Sequence, residues 1–557
     1  MLAGLLVVVV LTTVYFTYKR WSRISISQVP GPASESFLYG NLPELLQAQA
    51  GEVDFKWQAM YGDVLRVRAP LGVRLKFYCT ARPSESIISE DRLFVADPKA
   101  LQYIFHTASY RFPKVTGRRH LSRLSVGPGL TVVEGDDHKR HRKVMLPGFG
   151  GPESKSFFPI FFACAEKMAE KWKEAIELNS NQSVTLNVTP WVSRAALDAI
   201  GEAAFDYQFG ALDSLDHPIA KAYSNLMFDT FGLPTKPAIL SLSIMDHLPY
   251  NLAGFIMDNS GSTRLSHAQK TNRLSTKLAE ELVTEKSRAL LEGNGRRDIM
   301  SMLVKANASE NSQKRLEQRE LLAQMNTIIL AGHETTANSI SFALLEMCRK
   351  PEMQDRLRKE IRATERAVRE RGDSSFLPTD FESMPYLSAL IKETLRYHPV
   401  VYNIFRHASQ DDVLPLSTPI TTTSGKVLHE LPIPKGTQVI ASIAAYNRNK
   451  EIFGDDADVF NPDRWLRDTV PNTKSALGVY ASLFTFSGGS RSCIGWRFAV
   501  MELHAFMIEL LGTFEFSRDD NKEIRRESSF VMTPTVEGQI EKGSQLRLKV
   551  KLAARDE

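Results

Sequence analysis

The sequence predicts a mainly α-helical protein with a small β part, preceded by a single N-terminal transmembrane helix. Three observations carry this expectation. Stretches such as 189–205, 271–291 and 320–349 repeat apolar residues three and four apart, the spacing of one helix face. Short runs of β-formers cluster between Val64 and Val95. Residues Leu2 to Tyr18 are almost wholly apolar and are followed at once by Lys19, Arg20 and Arg23, which is the short end of a membrane span with a basic stop.

In chain order, residues 1–20 are expected to form the anchor. Its charges follow the apolar run rather than precede it, unlike a cleaved signal peptide, and they keep that flank in the cytosol. Residues 21–32 are the hinge, ending in Pro30-Gly31-Pro32, which cannot continue a helix. Val64-Leu-Arg-Val and Lys76-Phe-Tyr-Cys read as strands of a small sheet. Asp97-Pro98 supplies a helix cap and first residue for a helix toward Phe105. Helices are then expected over Glu134 to Phe149, Ser154 to Ile176, Thr189 to Phe205, Thr271 to Leu291, Glu320 to Arg349, Met384 to Arg396 and Trp496 to Leu511.

No Pro/Gly/Ser-rich or charged linker divides the rest of the 557 residues, so residues 33–557 are expected to form a single domain. Four cysteines without close pairs make no disulfide framework and point to a reducing compartment. The net charge of +5 is spread out, with no basic stripe interleaved with aromatics, so nucleic acid is not an expected partner.

Chemistry concentrates in Phe-Ser-Gly-Gly-Ser-Arg-Ser-Cys-Ile-Gly, residues 486–495. Cys493 stands just before a helical run, where partial positive charge favours thiolate. Gly488, Gly489 and Gly495 remove side chains beside the sulfur, so a flat, bulky ligand can approach the backbone. Arg491 offers a cation for a carboxylate, and Phe486 can wall the sulfur from water. A small buried hydrophobe is the ordinary role of an unpaired cysteine and is assigned to Cys79, Cys164 and Cys348. Zinc would need further ligands that do not accompany Cys493.

Three other segments add to this one. His138 and Arg142 are four apart on a short helix and can face one anion, while Lys139, Arg140 and Lys143 point outward. Ala331-Gly-His-Glu-Thr-Thr336 places poor helix formers inside a long helix. Thr335 can bond a carbonyl one turn back and open a bulge there; a helix contact through small residues is the plainer alternative. Glu393-Thr-Leu-Arg396 sits in an apolar helix, which suggests a buried ion pair rather than a surface one.

Together these segments resemble the cytochrome P-450 superfamily, and in texture its membrane-bound fungal members of secondary metabolism. Phe486, Gly489, Arg491, Cys493 and Gly495 match all five fixed positions of that family's haem-binding signature. The resemblance implies haem b bound through the Cys493 thiolate as axial iron ligand. It implies that Arg142, with His138 where the family has tryptophan, meets one haem propionate and that Arg406 meets the other. Ala331 and Gly332 would border the oxygen groove, with Glu334 and Thr335 as the acid and alcohol pair that deliver protons to dioxygen. Glu393, Arg396 and Arg464 would hold the cysteine loop without a catalytic part; the family's usual residues beside that last arginine are replaced by Asp463 and Trp465.

The implied function is a haem-thiolate monooxygenase that hydroxylates or epoxidises a lipophilic small molecule such as a terpenoid. It would use O2 and NADPH-derived electrons from a separate NADPH-cytochrome P-450 reductase, with cytochrome b5 as an optional second donor. Lys139, Arg140 and Lys143 would dock that acidic partner. The implied location is the endoplasmic reticulum membrane, single-pass, in contact with lipid and with the catalytic domain in the cytosol. The alternatives are a haem-thiolate isomerase or dehydratase acting without O2, and a haem sensor or carrier without turnover. Substrate contacts are expected from Tyr110 to Leu124, Met227 to Phe255, Ile328 to Thr335, Val400 to Phe405 and Phe530 to Thr535, mostly apolar segments with few fixed charges.

Overall fold

The computed structural model describes residues 24–554 apart from 35, 71–90, 215, 295–296, 310, 312–313, 468–476 and 520–521. The apolar segment 2–18 and the expected strand at Lys76 lie outside the described residues. Among the described residues, no helix is long and apolar enough to cross a membrane.

The helices that matter to the site are α1 (Thr116–Val126), α2 (Gly135–Met145), α3 (Phe158–Glu177), α4 (Val188–Phe205), α5 (Lys236–Met245), α6 (Tyr250–Asp258), α7 (Thr263–Leu291), α8 (Gln318–Arg349), α9 (Pro351–Glu370), α10 (Pro385–Tyr397) and α11 (Trp496–Thr513). Four strands form one sheet: β1 (Val64–Val67), β2 (Arg92–Val95), β3 (Asn403–His407) and β4 (Gln438–Ser442), in the order β1-β2-β4-β3. The β2–β4 pair is parallel and the other two are antiparallel.

Helix α8 is the axis of the molecule. Residues 321–330 and 336–347 are buried on every face, so the helix lies inside a shell of others, with α4, α7, α10 and α11 packed against it. It opens on a reciprocal cap between Glu317 and Glu320. The largest apolar cluster runs from Ile26 to Val550 through these helices, and a smaller one around Trp57, Phe94 and Ile440 fills the sheet.

Several boundaries depart from the sequence expectation. The segment 154–176 breaks at Phe157, because Pro159 in the first turn of α3 cannot continue the preceding helix. Helix α7 begins at Thr263 rather than 271. Helices α5, α6 and α9 were not anticipated: the first two are short and begin beside Pro237 and Pro249, and α9 is mostly charged. Asp97 does cap its helix, accepting the Ala100 N–H at 2.8 Å, but that helix ends at Gln102 and a wider turn follows.

The Glu393–Arg396 pair is fully buried and is completed from later in the chain. Arg396 donates two bonds to the Glu393 carboxylate, at 2.7 and 2.8 Å, and others to the carbonyls of Asn447, Ala457 and Val459. Glu393 also accepts from Arg464 Nε at 3.2 Å, Trp465 Nε1 at 3.0 Å and the Asn461 N–H at 2.7 Å. From there Asn447 bonds the Thr485 hydroxyl at 2.8 Å and accepts the Phe484 N–H at 3.0 Å, which ties the network to the loop that carries Cys493. Glu393→Ala would take the buried carboxylate from Arg396 and remove a partner from Arg464 Nε and from the Trp465 indole N–H. Breaking a buried pair in this way costs about 3–5 kcal/mol. The expected result is a variant that accumulates poorly and melts well below the parent, checked by thermal unfolding; an unchanged melting temperature would refute the role.

Candidate active site

The loop 486–495 is wound tightly by its own backbone, with Cys493 N–H on the Phe486 carbonyl at 2.8 Å and Ser492 N–H on that of Gly489 at 3.1 Å. Two of its glycines serve protein contacts rather than a ligand. A Cβ at Gly489, whose φ is +63°, would lie 2.0 Å from the Phe105 carbonyl oxygen, and one at Gly488 would lie 2.4 Å from that of Leu477. At Gly495 the nearest protein atom to such a carbon is 3.6 Å away, on Phe149, so that glycine leaves room. Phe486 is half-buried, edge-on to Tyr480.

Protein surrounds Cys493 on every side, yet the residue keeps surface that water could reach. The two facts agree if that surface faces an interior gap. Burial pushes its thiol pKa up, against the pull of the Gly495 N–H and Arg142, so the expected thiolate at a helix start is not favoured by the protein alone. A bound cation at the sulfur would reverse this.

Helix α8 shows the same contrast from its own side. In the middle of its buried length, Ala331 is exposed and Gly332 and Thr335 are half-exposed. Ala331 and Thr335 are four apart, so one face of an interior helix borders open space. The Thr335 hydroxyl donates to the Ala331 carbonyl at 2.7 Å, the expected bond, but α8 stays α-helical throughout and no bulge interrupts it. Glu334 points elsewhere, accepting the Met227 N–H at 3.4 Å. Burial pushes its pKa up to about 8, against the Met227 bond and helped by Asp229, so the carboxyl is mostly protonated at neutral pH. It lines a cavity of about 40 Å³ with Ser193, Arg194, Asn338 and Thr533.

A third group is cationic. Lys114, Arg406 and Arg491 lie buried within electrostatic reach of one another and share one carboxylate, Glu134. Arg491 pairs with Glu134, and Lys114 Nζ lies 3.4 Å from it. Burial would raise the Glu134 pKa, but Lys114 and Arg491 hold it below the usual carboxylate range. Lys114 is lowered to about 7 and Arg406 to about 10, in each case chiefly by burial. Among the described residues, Nε and Nη1 of Arg491 have no partner, and the Arg406 guanidinium donates only to the Phe405 carbonyl, at 3.2 Å. Arg406 and Arg491 against one carboxylate leave a positive charge unmatched, and Lys114, about half protonated near pH 7, adds part of another.

His138 and Arg142 do not converge on one acceptor. His138 pairs with the Tyr110 hydroxyl at 3.0 Å and is held neutral, its pKa lowered to about 3 by burial, then by Arg491, Lys114 and Arg142. Arg142 donates to the Ser492 carbonyl at 2.7 Å and hydroxyl at 3.1 Å, bracing the residue before the cysteine. Of the three basic residues expected outward, Arg140 turns inward to Glu320 at 2.7 and 2.8 Å, while Lys139 stays exposed beside Asp136. Lys114 and Glu134 were missed in the sequence because neither stands in a recognisable spacing; only the fold brings them beside Arg406 and Arg491.

A ligand that suits this set is flat, carries two carboxylates and offers a metal to a lone thiolate. Iron protoporphyrin fits: Cys493 would hold the iron, and Lys114, Arg406 and Arg491 the two propionates. The fold and the site thus define a haem-thiolate protein. The chain belongs to the cytochrome P-450 family, whose family model matches residues 83–541. It is similar to cytochrome P-450 monooxygenase 205 of Postia placenta, 31% identical over 548 residues, covering 94% of this chain and 93% of the relative. Cytochrome P-450 monooxygenase claQ of Ampulloclitocybe clavipes is 32% identical over 538 residues, 94% of this chain and 92% of its own. Ganoderic acid synthetase of Ganoderma lucidum is 31% identical over 553 residues, 96% and 95% of the two chains. The chain is a cytochrome P-450 monooxygenase.

Proposed function

We propose that this monooxygenase hydroxylates or epoxidises a lipophilic secondary metabolite, such as a terpenoid, with O2 and with electrons drawn from NADPH through NADPH-cytochrome P-450 reductase and, optionally, cytochrome b5. Its place is the endoplasmic reticulum membrane, anchored by residues 1–20 with the catalytic domain in the cytosol. Haem held through Cys493 supplies the one-electron chemistry and dioxygen activation that no side chain here can perform.

The observation that carries the reading is an alcohol, Thr335, bordering the open stretch of α8, with a carboxyl held protonated by burial at the next residue, Glu334, which faces a separate polar cavity. Glu334 keeps its proton up to about pH 8, and the cavity it lines has room for about three waters, which can renew that proton from solvent. Thr335 spends its hydroxyl proton on the Ala331 carbonyl, so its oxygen is left to accept and orient a water in the gap. Arg142 and the Gly495 N–H would steady the sulfur, and Lys114, Arg406 and Arg491 would hold the carboxylates of the bound group. A proton source favours oxygen insertion over isomerisation of a peroxide, which needs none.

The test is reconstitution of the full-length holoenzyme with the reductase, NADPH and a panel of terpenoids. Product one oxygen atom heavier, with 18O2 as its source, is expected. Product formed without O2 would favour the isomerase, and NADPH oxidation unchanged by every substrate would favour a haem carrier.

A further inference from the structure

His333 lies buried on α8, its ring edge-on to Tyr223 at 5.6 Å and its Nδ1 2.7 Å from the Ile329 carbonyl. A carbonyl only accepts, so Nδ1 carries the ring proton and Nε2 presents a lone pair. Among the described residues, that buried Nε2 has no hydrogen-bond partner. Glu334 Oε1 stands 3.8 Å from it, too far for a direct bond and close enough for one water to bond both. The Tyr223 carbonyl, also within reach of the ring, would accept from a proton placed on Nε2.

The polar cavity has room for that water. His333 and Glu334 both line it, and its wall includes Ser224 and Asn225, which are exposed, so the space of about 40 Å³ communicates with solvent. Of the side chains around it, only these two exchange protons near neutral pH. The alcohols and amides do not, and Arg194 keeps its charge. The Tyr223 phenol accepts from the Ser275 hydroxyl at 3.0 Å, and burial pushes its pKa up. The other charge that bears on Glu334 is that of Asp229, which is negative. A carboxylate at residue 334 thus has one base beside it.

Charge sets the direction of transfer. Burial holds both groups neutral, Glu334 with its pKa up at about 8 and His333 with its own down at about 4. When Glu334 gives its proton away, a negative charge appears 3.8 Å from Nε2 and favours the imidazolium, whose two N–H groups have the Ile329 and Tyr223 carbonyls within reach. We propose that His333 reloads Glu334: Nε2 takes a proton from cavity water, forming an N–H bond, and hands it through a bridging water to the carboxylate. The N–H bond then breaks and the carboxyl O–H bond forms, so one solvent proton enters for each that Glu334 gives up and the imidazole ends neutral as it began. His333 is a positioning residue that acts through Glu334. This rests on the reading of Glu334 as the proton source and adds the path by which that source is refilled.

The test follows hydrogen–deuterium exchange of the Glu334 carboxyl by infrared spectroscopy, on the full-length holoenzyme in detergent, without reductase, NADPH or substrate, so it does not depend on turnover. The carboxyl band is identified by its loss in Glu334→Gln. After mixing into D2O at neutral pH the band should move to its deuterated position in the parent, and His333→Leu should slow that movement about tenfold or more. His333→Gln can accept a hydrogen bond but cannot take and return a proton, so it should be as slow as the leucine variant. Exchange at the parent rate in His333→Leu would overturn the proposal. Full recovery in His333→Gln would also overturn it, because the histidine would then serve only packing or a hydrogen bond. If His333→Leu fails to fold, His333→Gln decides alone. A parent without any carboxyl band that Glu334→Gln removes would sink the proton source itself, a different failure from a band whose exchange ignores His333.

Discussion

Cys493→Ala is expected to abolish the thiolate signature in the carbon monoxide spectrum of the reduced protein and to bring turnover to background, with the fold kept. The loop does not depend on the sulfur for its shape. Its backbone bond from residue 493 to Phe486 survives in alanine, as do the approach of residue 489 to Phe105 and the 2.7 Å bond between the Ser109 and Ser490 hydroxyls. Cys164 is buried and Cys348 half-buried, and burial raises both thiols, that of Cys348 to about 12, so neither is a ready substitute ligand. Circular dichroism and the melting curve should stay close to those of the parent. A thiolate band that persisted in the variant would transfer the ligand role to another residue.

Glu334→Gln should separate electron consumption from product. General acid catalysis typically contributes about 100-fold or more, so product per NADPH should fall steeply while NADPH oxidation continues and ends in peroxide. Haem content and its spectrum should not change, since Glu334 faces Met227 and the polar cavity rather than the cysteine loop. Thr335→Ala should uncouple the enzyme in the same way. The pH profile supplies the sign. The acid form of Glu334 is lost as pH rises through about 8, so coupling in the parent should decline there, and that limb should be missing in Glu334→Gln. Stability runs in the same direction. The unfolded carboxyl releases its proton near 4.5 and the folded one near 8, so this contribution is complete below 4.5 and is lost as pH rises toward 8. Within that window the slope is about 1.4 kcal/mol per pH unit, and the glutamine variant should melt with a weaker pH dependence. Undiminished coupling in both variants would remove the proton relay.

What the sequence by itself determined is local in origin. The cysteine loop was legible because glycines, an arginine and a cysteine at fixed spacing leave few other uses, and the buried glutamate–arginine pair because its helix is apolar around it. Long helices such as α4 and α8 were legible because burial imposes a period of three to four residues on a helix against a core, whereas α9, 20 residues long but mostly charged, was not. Short helices such as α5 and α6 were not, since two or three turns interrupted by proline carry too little of that period. The site's electrostatics came only from the tertiary structure. Lys114, Glu134, Arg406 and Arg491 are far apart in the chain, and no spacing announces that they share one buried patch. Helical spacing allowed His138 and Arg142 one common anion, and packing sent one to Tyr110 and the other to Ser492. Backbone patterns follow from neighbours in sequence, whereas the direction of a charged side chain is decided by which partner the fold brings within about 3 Å and from which water it is excluded.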